Sequence, residues 1–320
     1  MPVQYGGDKI TFADGSNLGS GWTGFKNRII NGAMGIWQRG TSGFTSSGNY
    51  SADRFYVQTG TSLSAVGQSS DVPSGFRFSL SVAGTNQPSV VQRIESFNCT
   101  DLVGQAVTIS FWLKQTVSAG SNAMYIWLGY ANSQDSFGSV TNINAVNIST
   151  TSSWVQYTAT FTNLPSQSAN GLQLIIGCNG SGANTFQITG VQLEKGSTAT
   201  SFDYRPYGTE LSLCYRYFQK FLGSSVYEAL PSYAIAGTTA AEGFLAYKGT
   251  MRSTPTLASS TLCLLDAVGL FPISGTVATN NGLDSMRITY SGISGLTQYR
   301  SYYVTANNST SAFLTLSAEL

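Results

Sequence analysis

Histidine is absent from this chain of 320 residues, and charge of either sign is scarce. Without histidine there is no Ser-His-Asp triad, no imidazole base and no imidazole ligand for zinc. Asp, Glu, Lys and Arg make up 10% of the residues, against roughly 25% in an average soluble protein. The 16 basic and 15 acidic side chains leave a net charge of +1, so the chain offers no electrostatic footprint for nucleic acid. No basic amphipathic stretch suits a membrane surface. No apolar run nears the roughly 18 residues that crossing a bilayer takes. Residues Met1 to Ile10 lack the apolar core of a secretory signal. The four cysteines, Cys99, Cys178, Cys214 and Cys263, form no CxxC pair, which argues against a zinc or redox motif. Cys178 and Cys214 stand among apolar residues and read as buried free thiols, in keeping with synthesis in a reducing cytosol.

Core-forming residues are present. Apolar residues reach 42% and aromatics 12%, enough for a full core in each of two domains. The apolar positions alternate along short runs. Val107, Ile109, Phe111 and Leu113 are one set, and Met124, Ile126 and Leu128 another. Val155, Tyr157, Ala159 and Phe161 form a third, and Leu172, Leu174, Ile176 and Cys178 a fourth. Alternation bounded by Gly, Ser, Asn or Pro marks half-buried antiparallel strands. Their regular spacing favours a sandwich or jelly roll.

From Thr209 to Phe221 the spacing turns helical, with Leu211, Cys214, Tyr215 and Phe218 on one stripe and Leu213, Tyr217 and Phe221 on another. Thr209 reads as the N-cap, followed by Glu210 in the first turn. Further strands are expected over 227–235, 244–248, 261–265, 286–290, 302–306 and 312–317. All five tryptophans precede this region, so the two halves are different domains. The expected fold is all-β, a jelly-roll β-sandwich over 28–206, then a short linking helix and a second, smaller β domain over 207–320. The Gly-rich residues 1–27, with a short strand at Ile10–Phe12 and a turn at Ala13–Gly15, read as an N-terminal arm or connector.

Several blocks resemble bacteriophage and prophage tail fibre proteins. Asn27-Arg28-Ile29-Ile30-Asn31-Gly32-Ala33-Met34 with Ile36-Trp37-Gln38-Arg39-Gly40 is similar to an opening segment of such proteins. Ser51-Ala52-Asp53-Arg54-Phe55 looks like the segment that follows. Val191 to Gly196 and Phe202 to Pro206 look like its closing strand. The resemblance implies a jelly roll similar to carbohydrate-binding modules, in a homotrimeric virion protein that contacts host-surface polysaccharide. It also implies that the arm joins other tail proteins. Some proteins of this type carry a structural calcium. Here the opening segment offers Ala33-Met34-Gly35 without a carboxylate, and only Glu194 remains on the closing strand, so no cofactor or metal is expected.

Trp37, Arg39, Asp53, Arg54 and Glu194 read as a structural motif: a packed Trp, and charges too scarce to stand without partners. Tyr125 and Trp127 are the candidate glycan-binding residues, with Trp112 beside them. They alternate with core residues, and positions two apart on a strand lie roughly 6.5–7 Å apart, close enough for a flat aromatic platform. The same face could instead be covered by a neighbouring subunit or by the arm. Three function classes follow: a receptor-binding tail fibre, a capsid decoration or connector protein without a ligand, and a polysaccharide depolymerase. The last requires two of Asp53, Asp101, Asp135 and Glu194 to converge.

Overall fold

A computed structural model describes residues 4–6, 9–11, 17–19, 25–118 and 123–320. Short strands β1 (Gln4–Gly6), β2 (Lys9–Thr11) and β3 (Asn17–Gly19) pair in that order. The turn expected at Ala13–Gly15 lies outside the described residues.

The jelly-roll sandwich is built from eleven strands. They are β4 (Asn49–Tyr50), β5 (Tyr56–Gln58), β6 (Ser62–Ser69), β7 (Ser79–Thr85), β8 (Ser89–Ile94), β9 (Val107–Val117), β10 (Ala123–Ser133), β11 (Ser136–Ser149), β12 (Val155–Phe161), β13 (Leu172–Cys178) and β14 (Ala183–Lys195). One sheet runs β11-β10-β13-β8-β5-β4 and the other β12-β9-β14-β7-β6, with every described pairing antiparallel. The alternating sets supply both inner faces. Val107, Ile109, Phe111 and Leu113 point in from one sheet, and Met124, Ile126, Leu128, Leu174 and Ile176 from the other, into a single buried core.

The opening segment locks this sandwich. Asn31, at φ 61°, donates through Nδ2 to the carbonyls of Ile36 and Asp53, and its Oδ1 accepts from Ile36 N. Gly32 lies against the Val191 carbonyl, where a Cβ would sit well inside van der Waals contact. At the far end Glu194 accepts from Gln192 Nε2 (2.8 Å), Thr200 N (2.8 Å) and Thr200 Oγ1 (2.7 Å), which fastens the closing segment.

The helix differs from its expected span. α1 covers Tyr207–Tyr215, entered from extended Pro206, so Thr209 lies inside it and is not the cap. The chain turns at Arg216, and Phe218–Phe221 forms β15, paired with the last strand. Phe218 and Phe221 stand three apart, which suits a helix on paper, but sheet hydrogen bonds claim them. Ile30, Ile36, Cys214 and Tyr217 form a small core at this joint.

The second domain contains β16 (Ala229–Ala236), β17 (Ala240–Ala246), β18 (Thr256–Ser260), β19 (Leu262–Leu265), β20 (Leu270–Pro272), β21 (Gly275–Thr279), β22 (Ser285–Ser291), β23 (Ser301–Ala306) and β24 (Phe313–Ser317). They form a three-stranded sheet β15-β24-β18 and a seven-stranded sheet β20-β19-β23-β16-β17-β22-β21. Leu314 and Leu316 from the first meet Leu245, Ile288 and Val304 from the second in a separate core.

Candidate functional site

The outer face of the six-stranded sheet is divided between two kinds of surface. Over β4, β5 and β8 it is covered by the end of the second domain. Arg54 is buried in the left-handed region, φ 71°, with its guanidinium 3.5 Å from the Tyr217 ring centroid. Its Nη1 meets the Glu319 carboxylate. Arg39 reaches the same carboxylate at 2.9 Å and lies 3.5 Å over the Phe218 ring. Arg93 and Tyr50 both donate to the Leu320 carbonyl. Asp53 is buried and accepts from Gln38 N at 3.0 Å. Burial pushes its carboxyl above the ordinary range, with Arg39 pulling the other way. Trp37 donates to the Met34 carbonyl at 2.7 Å and packs against the sandwich core. These residues join the two domains.

Over β10, β11 and β13 the same face carries Tyr125 and Trp127. Tyr125 is registered with Gly177 on one side and Asn147 on the other; Trp127 is registered with Ile175 and Ala145. Both rings are half-buried, because each lies on a glycine. A Cβ on Gly177 would come within 2.9 Å of Tyr125 Cζ, and one on Gly129 within 2.7 Å of Trp127 Cζ3. Burial raises the Tyr125 phenol above its usual pKa. Amides stand around the rings. Asn147 accepts from Asn179 Nδ2 at 3.1 Å, and Gln173 accepts from Arg93 Nε at 3.0 Å. Asn142, registered with Gly129, is exposed. Aromatic rings bordered by amide donors and acceptors fit a ligand with C–H faces and hydroxyls.

Trp112, expected beside these rings, is elsewhere. It is on β9 in the five-stranded sheet, registered with Gln156 and Thr189, and faces away on the opposite side of the sandwich. Alternation tells inside from outside but not which sheet a strand joins, and β9 and β10 are consecutive in sequence yet belong to different sheets. Trp112 instead neighbours Phe76 at Gly190.

If the rings depend on bare backbone beneath them, Gly177→Ala should disturb the platform without touching either ring. The new methyl would also crowd Ser89 Cβ at 2.5 Å. Ligand binding should fall at least about fivefold, corresponding to about 1 kcal/mol. Titration of cell or glycan binding by this variant checks it, and wild-type affinity would show that Tyr125 need not lie flat.

The four carboxylates left for hydrolytic chemistry have separate partners. Asp135 accepts from Ser96 N and Oγ, Asp101 pairs with Arg28 at 2.8 Å, Asp53 holds Gln38 and Glu194 holds Thr200. Both Glu194 oxygens accept hydrogen bonds, from Gln192 and Thr200. Among the described residues no three His, Cys, Asp or Glu side chains gather for a metal.

A second aromatic surface escaped the sequence reading. The outer face of the seven-stranded sheet exposes Tyr233, Ile235, Phe244, Val277 and Tyr303, with Tyr299 on the adjoining loop. The strand pattern there signals a face pointing outward, but it does not separate a bare apolar face from a covered one.

Neither protein-family models nor curated proteins match this chain. Several solved structures are similar to about half of it. One, described as CBM4 structure and function, is 18% identical with a TM-score of 0.38, over 52% of this chain and 99% of that one. The enzymatically active domain of bacteriophage CBA120 tailspike protein 4 is 16% identical with a TM-score of 0.37, over 53% of this chain and 21% of that one. TmCBM61 in complex with β-1,4-galactotriose is 12% identical with a TM-score of 0.33, over 53% and 99%.

Proposed function

We propose that this chain is a non-enzymatic attachment protein of a bacteriophage virion, a tail fibre or receptor-binding protein, that holds host-surface glycans on the Tyr125–Trp127 face and works as a homotrimer. One observation carries the glycan reading: two half-buried aromatic rings, Tyr125 and Trp127, stand against glycines on the outer side of one sheet, among the amides of Asn147 and Gln173. Sugar rings present C–H patches to such a surface and hydroxyls to its rim. The tail fibre setting is supported by the opening segment from Asn27 to Gly40 and by the closing strand.

The test is Trp127→Ala, measured for host-cell or glycan binding and for melting on the same preparation. Binding should fall at least about tenfold, with the midpoint lowered by less than about 4 °C. A stable variant that binds like wild type would remove the platform from the reading. Wild-type protein that binds no host cell at any concentration would instead favour a decoration or connector role without a ligand. Release of oligosaccharide from host capsule or lipopolysaccharide would favour a depolymerase.

A further inference from the structure

On the seven-stranded sheet, alternation sends Ala234, Leu245, Ile288 and Tyr302 into the core and leaves an equally apolar set outside. Phe244 is 61% exposed, Tyr233 60%, Ile235 58% and Val277 57%. The register makes them neighbours. Tyr233 stands opposite Tyr303, with ring centroids 4.9 Å apart, Ile235 opposite Glu242, and Phe244 opposite Arg287. Val277 lies across from Thr289 on β22. Tyr233, Ile235, Glu242, Phe244 and Arg287, with Tyr299, border an open trough of about 870 Å³.

The size of this patch is informative. At these exposures the six apolar side chains present on the order of 700 Å², above the roughly 300–600 Å² of the largest patch on a typical monomer and near the roughly 800 Å² that each partner contributes to a stable interface. Ile235, Phe244 and Val277 bring apolar surface, and Glu242, Arg287, Thr289 and the phenols of Tyr233 and Tyr303 stand among them, the aromatic, aliphatic and Arg mixture of a protein–protein interface.

We propose that the outer face of the seven-stranded sheet is where a second copy of this chain docks. The proposal rests on the self-association part of the reading above and not on the glycan part. Charge supports a copy as the occupant. Glu242 and Arg287 stand side by side, 3.4 Å apart and about half exposed. Every copy that meets this face brings both members of the pair, so neither charge is buried alone. The chain's near-zero net charge adds little long-range repulsion between copies.

The experiment uses the full chain in light scattering over a dilution series. Wild type should appear as a multiple of the 34.0 kDa chain mass. Phe244→Lys should run as the single chain over the same concentrations, its association weakened on the order of 100-fold by the unpaired ammonium. Its circular dichroism should match wild type. All four native cysteines are buried, so Ile235→Cys adds a lone accessible thiol that a short bis-maleimide should couple into covalent multimers. That second variant decides the matter if Phe244→Lys misfolds. Assembly of a folded Phe244→Lys variant like wild type would overturn this face while leaving self-association standing. So would the absence of cross-linking by Ile235→Cys where wild type is assembled. A wild-type protein that stays a single chain would overturn both.

Discussion

Glu319→Ala should cost about 3–5 kcal/mol, the range for removing one partner of a buried ion pair. Arg54 then keeps its place, 1% exposed, without its anion. Its remaining contacts, the Tyr217 ring and the Arg93 carbonyl at 2.6 Å, do not neutralise the charge. Burial works most strongly against the Arg54 cation, and Glu319, with lesser help from Tyr217, Tyr50 and Cys214, more than offsets it. Arg39 is less affected because Asp53 lies 3.7 Å away. The same carboxylate joins β24 to the sandwich, so the two domains should also lose part of their coupling. Denaturant unfolding followed by tryptophan fluorescence, to which the second domain contributes no tryptophan, and by circular dichroism should give separated transitions in the variant and coincident ones in wild type. Asp101→Ala is the comparison, since the Arg28–Asp101 pair is more exposed and should contribute less than about 1 kcal/mol. Equal effects at the two sites would refute the account.

Alkali should unfold the protein between about pH 10 and 12. Burial pushes the Tyr50 phenol up to about 12, helped by Glu319, and burial likewise lifts Tyr247 to about 12. Tyr217 and Tyr290, each 1% exposed, are raised further by the same cause, with Arg54 pulling Tyr217 back in part. The folded pKa values lie above the unfolded ones, so the native state binds more protons in this window. Stability is therefore unaffected by these groups below pH 10 and falls as the pH rises. The slope is about 1.4 kcal/mol per pH unit for each fully buried phenol. Phenolate absorbance should rise in two stages, exposed tyrosines first and the buried ones together with loss of the sheet signal. A smooth titration completed while the sheets persist would show that these phenols are accessible in the fold.

Much of the architecture was legible because apolar residues alternate along the strands, although Val155, expected inside, is exposed at the start of its strand. Val155–Phe161 and Leu172–Cys178 match their strands residue for residue. β11 was not legible. Its apolar residues Val140, Ile143, Val146 and Ile148 break the two-residue period where a bulge shifts the register opposite Leu128 and Gly129. β15 was hidden by a spacing that a helix shares. The candidate site was half legible. Tyr125 and Trp127 follow from alternation, while the glycines beneath them come from a strand pairing that one-dimensional pattern does not show. Glu319 was out of reach for a similar reason, since its partners lie 265 and 280 residues away.

The glycines under the platform also bear on the thermodynamics of capture. A ring pressed against bare backbone has few rotamers left to lose, so a ligand arriving on Tyr125 and Trp127 need not freeze them. Ordering one mobile side chain at an interface costs about 0.5–1.5 kcal/mol. Here that entropy is given up during folding, once, and not at each encounter. Calorimetry of glycan binding should accordingly show a small entropic penalty from the protein, and the gain should be greatest for short saccharides, whose few contacts leave little margin to offset one.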